Sequence, residues 1–225
     1  RLTTLDQRQE LFAAAGADAM LVFDFDASLA ATSAEDFVHL LLRERLGAGG
    51  VVTGEDFTFG KGRGGNPQVL EELGMPARTV GAVHDDGGAV SSSRIREALR
   101  AGDCAEAARL LTRPFAIRGE VIHGDKRGRT IGYPTANLDM GNYLRPRYGI
   151  YAVRGRVVAT GESLQGAANL GIRPTFDPPK ELLEPFFFDF AGDLYGHEIE
   201  VELRHFLRPE AKFADMPTLV AQMEA

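Results

Sequence analysis

Arg113-Pro114-Phe115-Ala116-Ile117-Arg118-Gly119-Glu120-Val121 is where the chain changes character. Before it, helical and strand patterns alternate; after it, short alternating segments are split by Gly and Pro. Phe115 to Val121 is the first of these, followed by Gly149 to Val153, Ala167 to Leu170, Phe186 to Phe190 and Ile199 to Leu203. Short strands at even spacing, each ended by a turn former, are the pattern of a small β-barrel. Met216 to Met223 reads as a closing helix. The change sets a domain boundary near residue 112, dividing the chain into 1–112 and 113–225.

Upstream, Thr4 or Asp6 can cap a helix through about Ala15, with Gly16 as its stop. Ala19-Met20-Leu21-Val22-Phe23 is a buried-strand candidate. Ser33 opens a second helix, with Asp36 three residues on. Val51-Val52-Thr53 and Thr79 to Val83 read as strands, Ser93 to Ala98 and Cys104 to Leu111 as helices. Strands separated by helices predict a doubly wound parallel sheet, here an incomplete one. The first residue, Arg1, already stands at the entry to a helix, and Leu219 to Ala225 stop inside another helical pattern. The sequence is therefore expected to be a piece of a longer protein.

Composition narrows the function classes. The 225 residues suffice for two domains, and 44% hydrophobic with 25% charged residues is ordinary for a soluble globular chain. A net charge of -7 disfavours a broad nucleic-acid surface, which needs clustered Lys and Arg, but leaves room for a small nucleotide. The single Cys104 rules out an internal disulfide and a Cys-based zinc site, and suits a cytoplasmic location. No apolar run approaches the ~20 residues of a membrane span, and no signal peptide opens the chain.

The richest segment for chemistry is Gly119 to Asn137. Gly124 and Gly128 allow close backbone approach to a ligand, and successive amides in such a turn can cradle phosphate oxygens. Lys126, Arg127 and Arg129 add positive charge. The same loop also reads as a solvated turn, and it is not the strand–GxxxxGK[ST]–helix phosphate loop. Thr135 and Asn137, two apart, share one face of an extended chain and offer neutral oxygens that suit Mg²⁺ beside substrate phosphates. A turn bonding its own backbone would use the same residues. Glu184 opens the apolar run Pro185-Phe186-Phe187-Phe188-Asp189-Phe190, where a carboxylate could take a substrate proton or simply sit exposed at a strand end.

Together these segments resemble the riboflavin kinase family. The matching stretches are Gly132-Tyr-Pro-Thr-Ala-Asn137, Tyr148-Gly-Ile-Tyr151, Ala168-Asn-Leu-Gly-Ile-Arg-Pro-Thr-Phe176, Glu184 to Phe190, Gly192-Asp-Leu-Tyr-Gly196 and Phe206-Leu-Arg-Pro-Glu-Ala-Lys-Phe213. The resemblance implies a six-stranded Greek-key barrel with a C-terminal helix, where ATP and riboflavin meet at one rim. It implies that Thr135 and Asn137 contact Mg²⁺ and ATP phosphates, that Glu184 is the base for the riboflavin 5′-hydroxyl, and that Arg208 contacts the flavin. Phe186 stands where many members carry His, which implies altered packing beside the base.

The first half is similar to the later part of the FMN adenylyltransferase module of bacterial FAD synthetases. The similarity rests on Phe25-Asp26, Ser33-Ala-Glu-Asp-Phe37, Val52 to Gly64 and Val90-Ser-Ser-Ser-Arg-Ile-Arg96. It implies that Asp56 and Phe57 lie near flavin and adenine, and that Ser92, Ser93 and Arg96 hold phosphates at a helix start, although a serine cluster also makes an ordinary cap. The module's early His-x-Gly-His motif is absent from these residues: His39, His84, His123, His197 and His205 form no such pair. The expected activity is ATP-dependent phosphorylation of riboflavin to FMN, with adenylylation of FMN to FAD in an intact parent. A non-catalytic flavin binder needs no Glu184 beside Thr135 and Asn137. An RNA-binding barrel is disfavoured by the acidic balance.

Overall fold

The computed structural model describes residues 1–123, 135–173 and 180–211, arranged in two units. One unit spans Asp18–Val90. In it, Asp26 caps α2 (Ala27–Ala31) by accepting from Leu29 N at 2.8 Å, and Ser33 caps α3 (Ala34–Asp36) by accepting from Asp36 N at 3.0 Å. The chain continues as a π-helix, Phe37–Arg45. β1 (Val51–Gly54) crosses through α4 (Pro67–Glu72), capped by Asn66, to β2 (Ala77–Val80), which pairs parallel to it with Val51 opposite Ala77. This βαβ crossover is the parallel arrangement the alternating pattern predicts. Val38, Phe59, Leu70 and Met75 form its buried core. A short hairpin, β3 (His84–Asp85) with β4 (Gly88–Ala89), follows.

The strand expected at Ala19–Phe23 does not form: Leu21 is 60% and Phe23 49% exposed, and no described strand pairs with them. An apolar run becomes a strand only where a neighbour takes up its backbone N–H and C=O groups. Here β1 and β2 pair with each other.

The other unit joins Arg1–Ala17 to the chain from Ser91 onward. Its first helix, α1 (Leu5–Ala14), starts with a reciprocal capping box between Thr4 and Gln7 and is followed by Gly16 at φ +89°. Ser91 caps α5 (Ser92–Ala101), which ends at left-handed Gly102; Asp103 then caps α6 (Cys104–Leu111). The two helices bury Ile95, Leu99, Ala107 and Leu110. Cys104 is buried, and that burial pushes its thiol pKa up to about 11.

Six antiparallel strands follow: β5 (Phe115–Glu120), β6 (Leu138–Asp139), β7 (Gly149–Val157), β8 (Ser163–Arg173), β9 (Lys180–Phe187) and β10 (Glu198–Arg208). Their order is β5-β10-β7-β8-β9-β6, and a bridge from Ile122 to Asn137 brings the two edges together into a nearly closed barrel. β10 returns between β5 and β7, the long return of a Greek key. Alternate residues such as Phe115, Ile117, Leu138, Tyr151, Leu170 and Leu183 fill the inside. β9 differs from the expected Phe186–Phe190: it runs Lys180–Phe187 and stops before Asp189, whose φ of +54° turns the chain out of the ladder. Glu184 is thus inside a strand, not at its start. The expected closing helix at 216–223 lies outside the described residues.

A buried charge cluster ties α1 to the barrel. Arg118 of β5 donates to Glu10 through both terminal nitrogens at 2.6 Å and through Nε to Glu200 of β10 at 3.0 Å. Glu200 also accepts from Gln7 at 2.9 Å and from Arg156 at 3.0 Å. Tyr143 donates its hydroxyl hydrogen to Gln7 at 2.7 Å and accepts from the Arg118 amide at 3.0 Å.

Candidate active site

Side chains directly opposite in an antiparallel ladder point to the same face. Asn169 of β8 is opposite Glu184 of β9 on one side and Ile150 of β7 on the other, and Ile150 is opposite Arg208 of β10. Between β6 and β9 the register sets Leu138 opposite Leu183, and the Ala136 amide donates to Pro185 O at 2.9 Å. Continued through Asn137, that register sets Asn137 opposite Glu184. The result is one row, Asn137-Glu184-Asn169-Ile150-Arg208, running across five strands. Glu184, Asn169, Ile150 and Arg208 are half-buried and alternate with the buried Leu183, Leu170 and Tyr151, which puts them on the barrel's outer face, while Asn137 at the end of the row is itself covered. At ~4.8 Å per strand, Glu184 and Arg208 stand about 14 Å apart along the sheet.

Three residues singled out from the sequence therefore fall in one line. Asn137 is buried, with its Nδ2 turned to the Thr135 carbonyl at 3.5 Å. Thr135 lines a hollow with Val121, Phe190, Gly192, Asp193 and Tyr195. Within that lining Asp193 Oδ1 accepts from the Tyr195 amide at 3.0 Å, and the His123 ring stacks on Tyr195 at 4.1 Å between centroids. Phe186 is two residues from Glu184 on the same face and meets the Phe188 ring edge-on at 5.8 Å. Gly124, Lys126, Gly128 and Arg129 lie outside the described residues.

At one end of the barrel Arg145 donates to Glu181 at 2.7 Å, and the Tyr148 hydroxyl donates to the same carboxylate. The Arg145 and Tyr148 hydrogen bonds hold the Glu181 carboxyl below the usual range, while burial and then Glu181 push Tyr148 up to about 12.

In the first half, Ser92 and Ser93 open α5 as expected, and Arg96 donates to Ser92 Oγ at 2.7 Å. The cap itself is Ser91, whose side chain accepts from the Arg94 amide at 3.3 Å. Asp56 follows β1 in a turn closed by the Phe57 amide donating to Gly54 O at 3.2 Å. Phe57 packs against the buried cluster of its unit, stacked on Phe59 at 5.7 Å between centroids.

Among the elements of the row and hollow that carried no role in the sequence reading are Asn169, inside the quoted Ala168 to Phe176 stretch, and the Tyr195–His123 stack. Their only advance signal was membership in a motif.

The chain is matched by the riboflavin kinase family model over residues 111–225 and by the FAD synthetase family model over 1–94. It is 40% identical over 228 residues to a bifunctional riboflavin kinase/FMN adenylyltransferase of Escherichia coli strain K12, covering 99% of this chain and 72% of that one. A protein of the same description from Haemophilus influenzae is 37% identical over 231 residues, covering 100% of this chain and 74% of that one. A crystal structure from Streptococcus pneumoniae, described as a macrolide-efflux protein, superposes with a TM-score of 0.87 at 32% identity, covering 99% of this chain and 73% of that one.

Proposed function

Since the chain belongs to the bifunctional riboflavin kinase/FMN adenylyltransferase family, we propose that the row on the outer face of its barrel is where it phosphorylates riboflavin. The single observation that carries this is the alignment of Asn137, Glu184 and Arg208 in one cross-strand row, with Thr135 beside it in the hollow. Phosphoryl transfer depends on positioning and charge neutralisation, and this row spaces three different chemistries along one line.

Glu184 takes the proton of the riboflavin 5′-hydroxyl. That oxygen bonds to the γ-phosphorus of ATP, the bond from phosphorus to the bridging oxygen breaks, and FMN and ADP result. Thr135 and Asn137 face the ATP phosphates, joined by Gly124, Lys126, Gly128 and Arg129 of the preceding loop. Arg208, about 14 Å along the row, holds the flavin end. The donor set fits Mg²⁺: Thr135 lines the hollow, the Asn137 Nδ2 turned to the Thr135 carbonyl leaves Oδ1 to accept, and Mg²⁺ takes few protein oxygens when phosphates and water complete its octahedron. Thr135 and Asn137 would supply those oxygens, and the ion would spread the charge of the transferring phosphoryl group.

The division of labour follows the boundary near residue 112. Residues 113–225 are the kinase domain, and 1–112 are the later part of an FMN adenylyltransferase module. In that module Ser92, Ser93 and Arg96 grip phosphates, with Asp56 and Phe57 near the flavin and adenine. No described helix is long and apolar enough to cross a membrane; we assign the enzyme to the cytoplasm, where its substrates riboflavin, ATP and FMN are small molecules. The test is incubation with riboflavin, ATP and Mg²⁺ and chromatographic separation of flavins. FMN formation dependent on ATP supports the reading; unchanged riboflavin defeats it.

A further inference from the structure

Asn169 stands between Glu184 and Ile150 in the row, on a strand paired along both edges. Its Nδ2 donates to Glu210 Oε1 at 3.2 Å. A carboxylate only accepts, so this bond fixes which end of the amide is NH₂ and turns Oδ1 away from Glu210. That Oδ1 is buried and has no hydrogen-bond partner. Among the described residues the other such side-chain atom is Thr53 Oγ1, in the other unit. Buried acceptors without donors are rare in folded proteins, and one set in a row of binding residues calls for a donor from outside. The ladder cannot supply it, because the backbone N–H groups flanking β8 are engaged in pairing with β7 and β9.

The cover over this strand is a surface side chain. Glu210 is exposed and lies along β8 from Asn169 to Gly171, where it fills the space that a side chain at 171 would take. A ligand entering along the row meets that carboxylate there. One strand step, ~4.8 Å, separates Asn169 from Glu184. Taking Glu184 as the acceptor of the 5′-hydroxyl proton, on which this argument rests, the next donors along the substrate are the interior hydroxyls of its polyol chain. We infer that Asn169 Oδ1 accepts a hydrogen bond from an interior ribityl hydroxyl of riboflavin. Asn169 thereby selects for a hydroxylated chain between flavin ring and reacting end, with Glu210 as the residue that orients it.

The test uses the full 225-residue chain, unsubstituted and as Asn169→Ala, with riboflavin and its 2′-, 3′- and 4′-deoxy analogues. Asn169→Ala is expected to raise KM for riboflavin roughly threefold to tenfold, the range for one neutral hydrogen bond, and to leave KM for ATP unchanged. One deoxy analogue should show the same rise with the unsubstituted chain and no further rise with Asn169→Ala. A merely structural role would not produce that non-additivity. If Asn169→Ala does not fold, the analogue series on the unsubstituted chain decides: equal KM for riboflavin and all three analogues overturns the inference. So does an unchanged KM in the variant, or losses that add for every analogue. A chain that makes FMN but is indifferent at Asn169 defeats this inference alone; a chain that makes no FMN defeats the kinase reading beneath it.

Discussion

Replacing Arg118 by Met keeps an unbranched apolar stem and removes the guanidinium charge that joins α1 to the barrel. Arg118 is 5% exposed, and its partners differ: the Glu10 side chain is 58% exposed and the Glu200 side chain 16%. The Glu10 leg is screened by water and contributes at most about 1 kcal/mol. The Glu200 leg dominates, because removing one partner of a buried pair costs ~3–5 kcal/mol. Arg156 and Gln7 remain on the same carboxylate, which holds the total near the low end, about 3 kcal/mol. At ~2–4 °C per kcal/mol for a chain of this size, Arg118→Met should melt about 6–12 °C below the unsubstituted protein at pH 7, followed by circular dichroism.

Acid supplies a second readout. Burial pushes the Glu200 carboxyl up, but hydrogen bonds from Gln7 and Arg156 and the Arg118 charge outweigh it and hold its pKa below 4.5; the Arg118 bond lowers Glu10 as well. A carboxyl lowered on folding adds stability above its unfolded pKa and loses it as pH falls through the folded value. The deficit of Arg118→Met should therefore be full at pH 7 and shrink as pH drops below about 4.5. A variant melting within ~2 °C of the unsubstituted protein at pH 7, or a deficit that grows in acid, would refute the reasoning.

Glu184→Gln should lower the rate of FMN formation by ~10²–10⁴ with an unchanged circular dichroism spectrum, because it removes a proton acceptor and keeps its volume. Near-normal turnover would take Glu184 out of the role of base. Thr135→Ala and Asn137→Ala should each raise KM for ATP more than KM for riboflavin; a selective loss on the flavin side in separate titrations would turn the pair toward the other substrate. A polypeptide of these 225 residues given FMN, ATP and Mg²⁺ should yield little or no FAD, because loss of a charge-stabilising donor such as the missing histidine pair costs ~10²–10³ in rate. Robust release of FAD and pyrophosphate would show that pair to be dispensable.

What the sequence could announce was local. Thr4 as a cap and Ser33 with Asp36 are helix-start signals readable within a few residues, and both caps formed. The period of two that grouped Thr135 with Asn137 is equally local. That Glu184 should stand opposite Asn137 and Asn169 depends on strand register between segments far apart in the chain, which no short window contains. The apolar run at Ala19–Phe23 spelled out a need for strand neighbours but not their presence. The start of α1 was legible; that its Gln7 and Glu10 would bond to Glu200 and Arg118 was not, since nothing in a helix's own periodicity names its distant partners.

That distance gives the protein an order of events during synthesis. Gln7 and Glu200 are separated by 193 residues, so at ~5–20 residues per second roughly 10–40 s pass between the emergence of the helix and of the carboxylate it binds. β10 is also the strand that lies between β5 and β7. Until it leaves the ribosome, those two earlier strands have an unfilled edge each, and α1 has its capping box but only part of its seat. A ribosome paused before residue 198 would therefore carry an open sheet, the form most exposed to pairing with a neighbouring nascent chain.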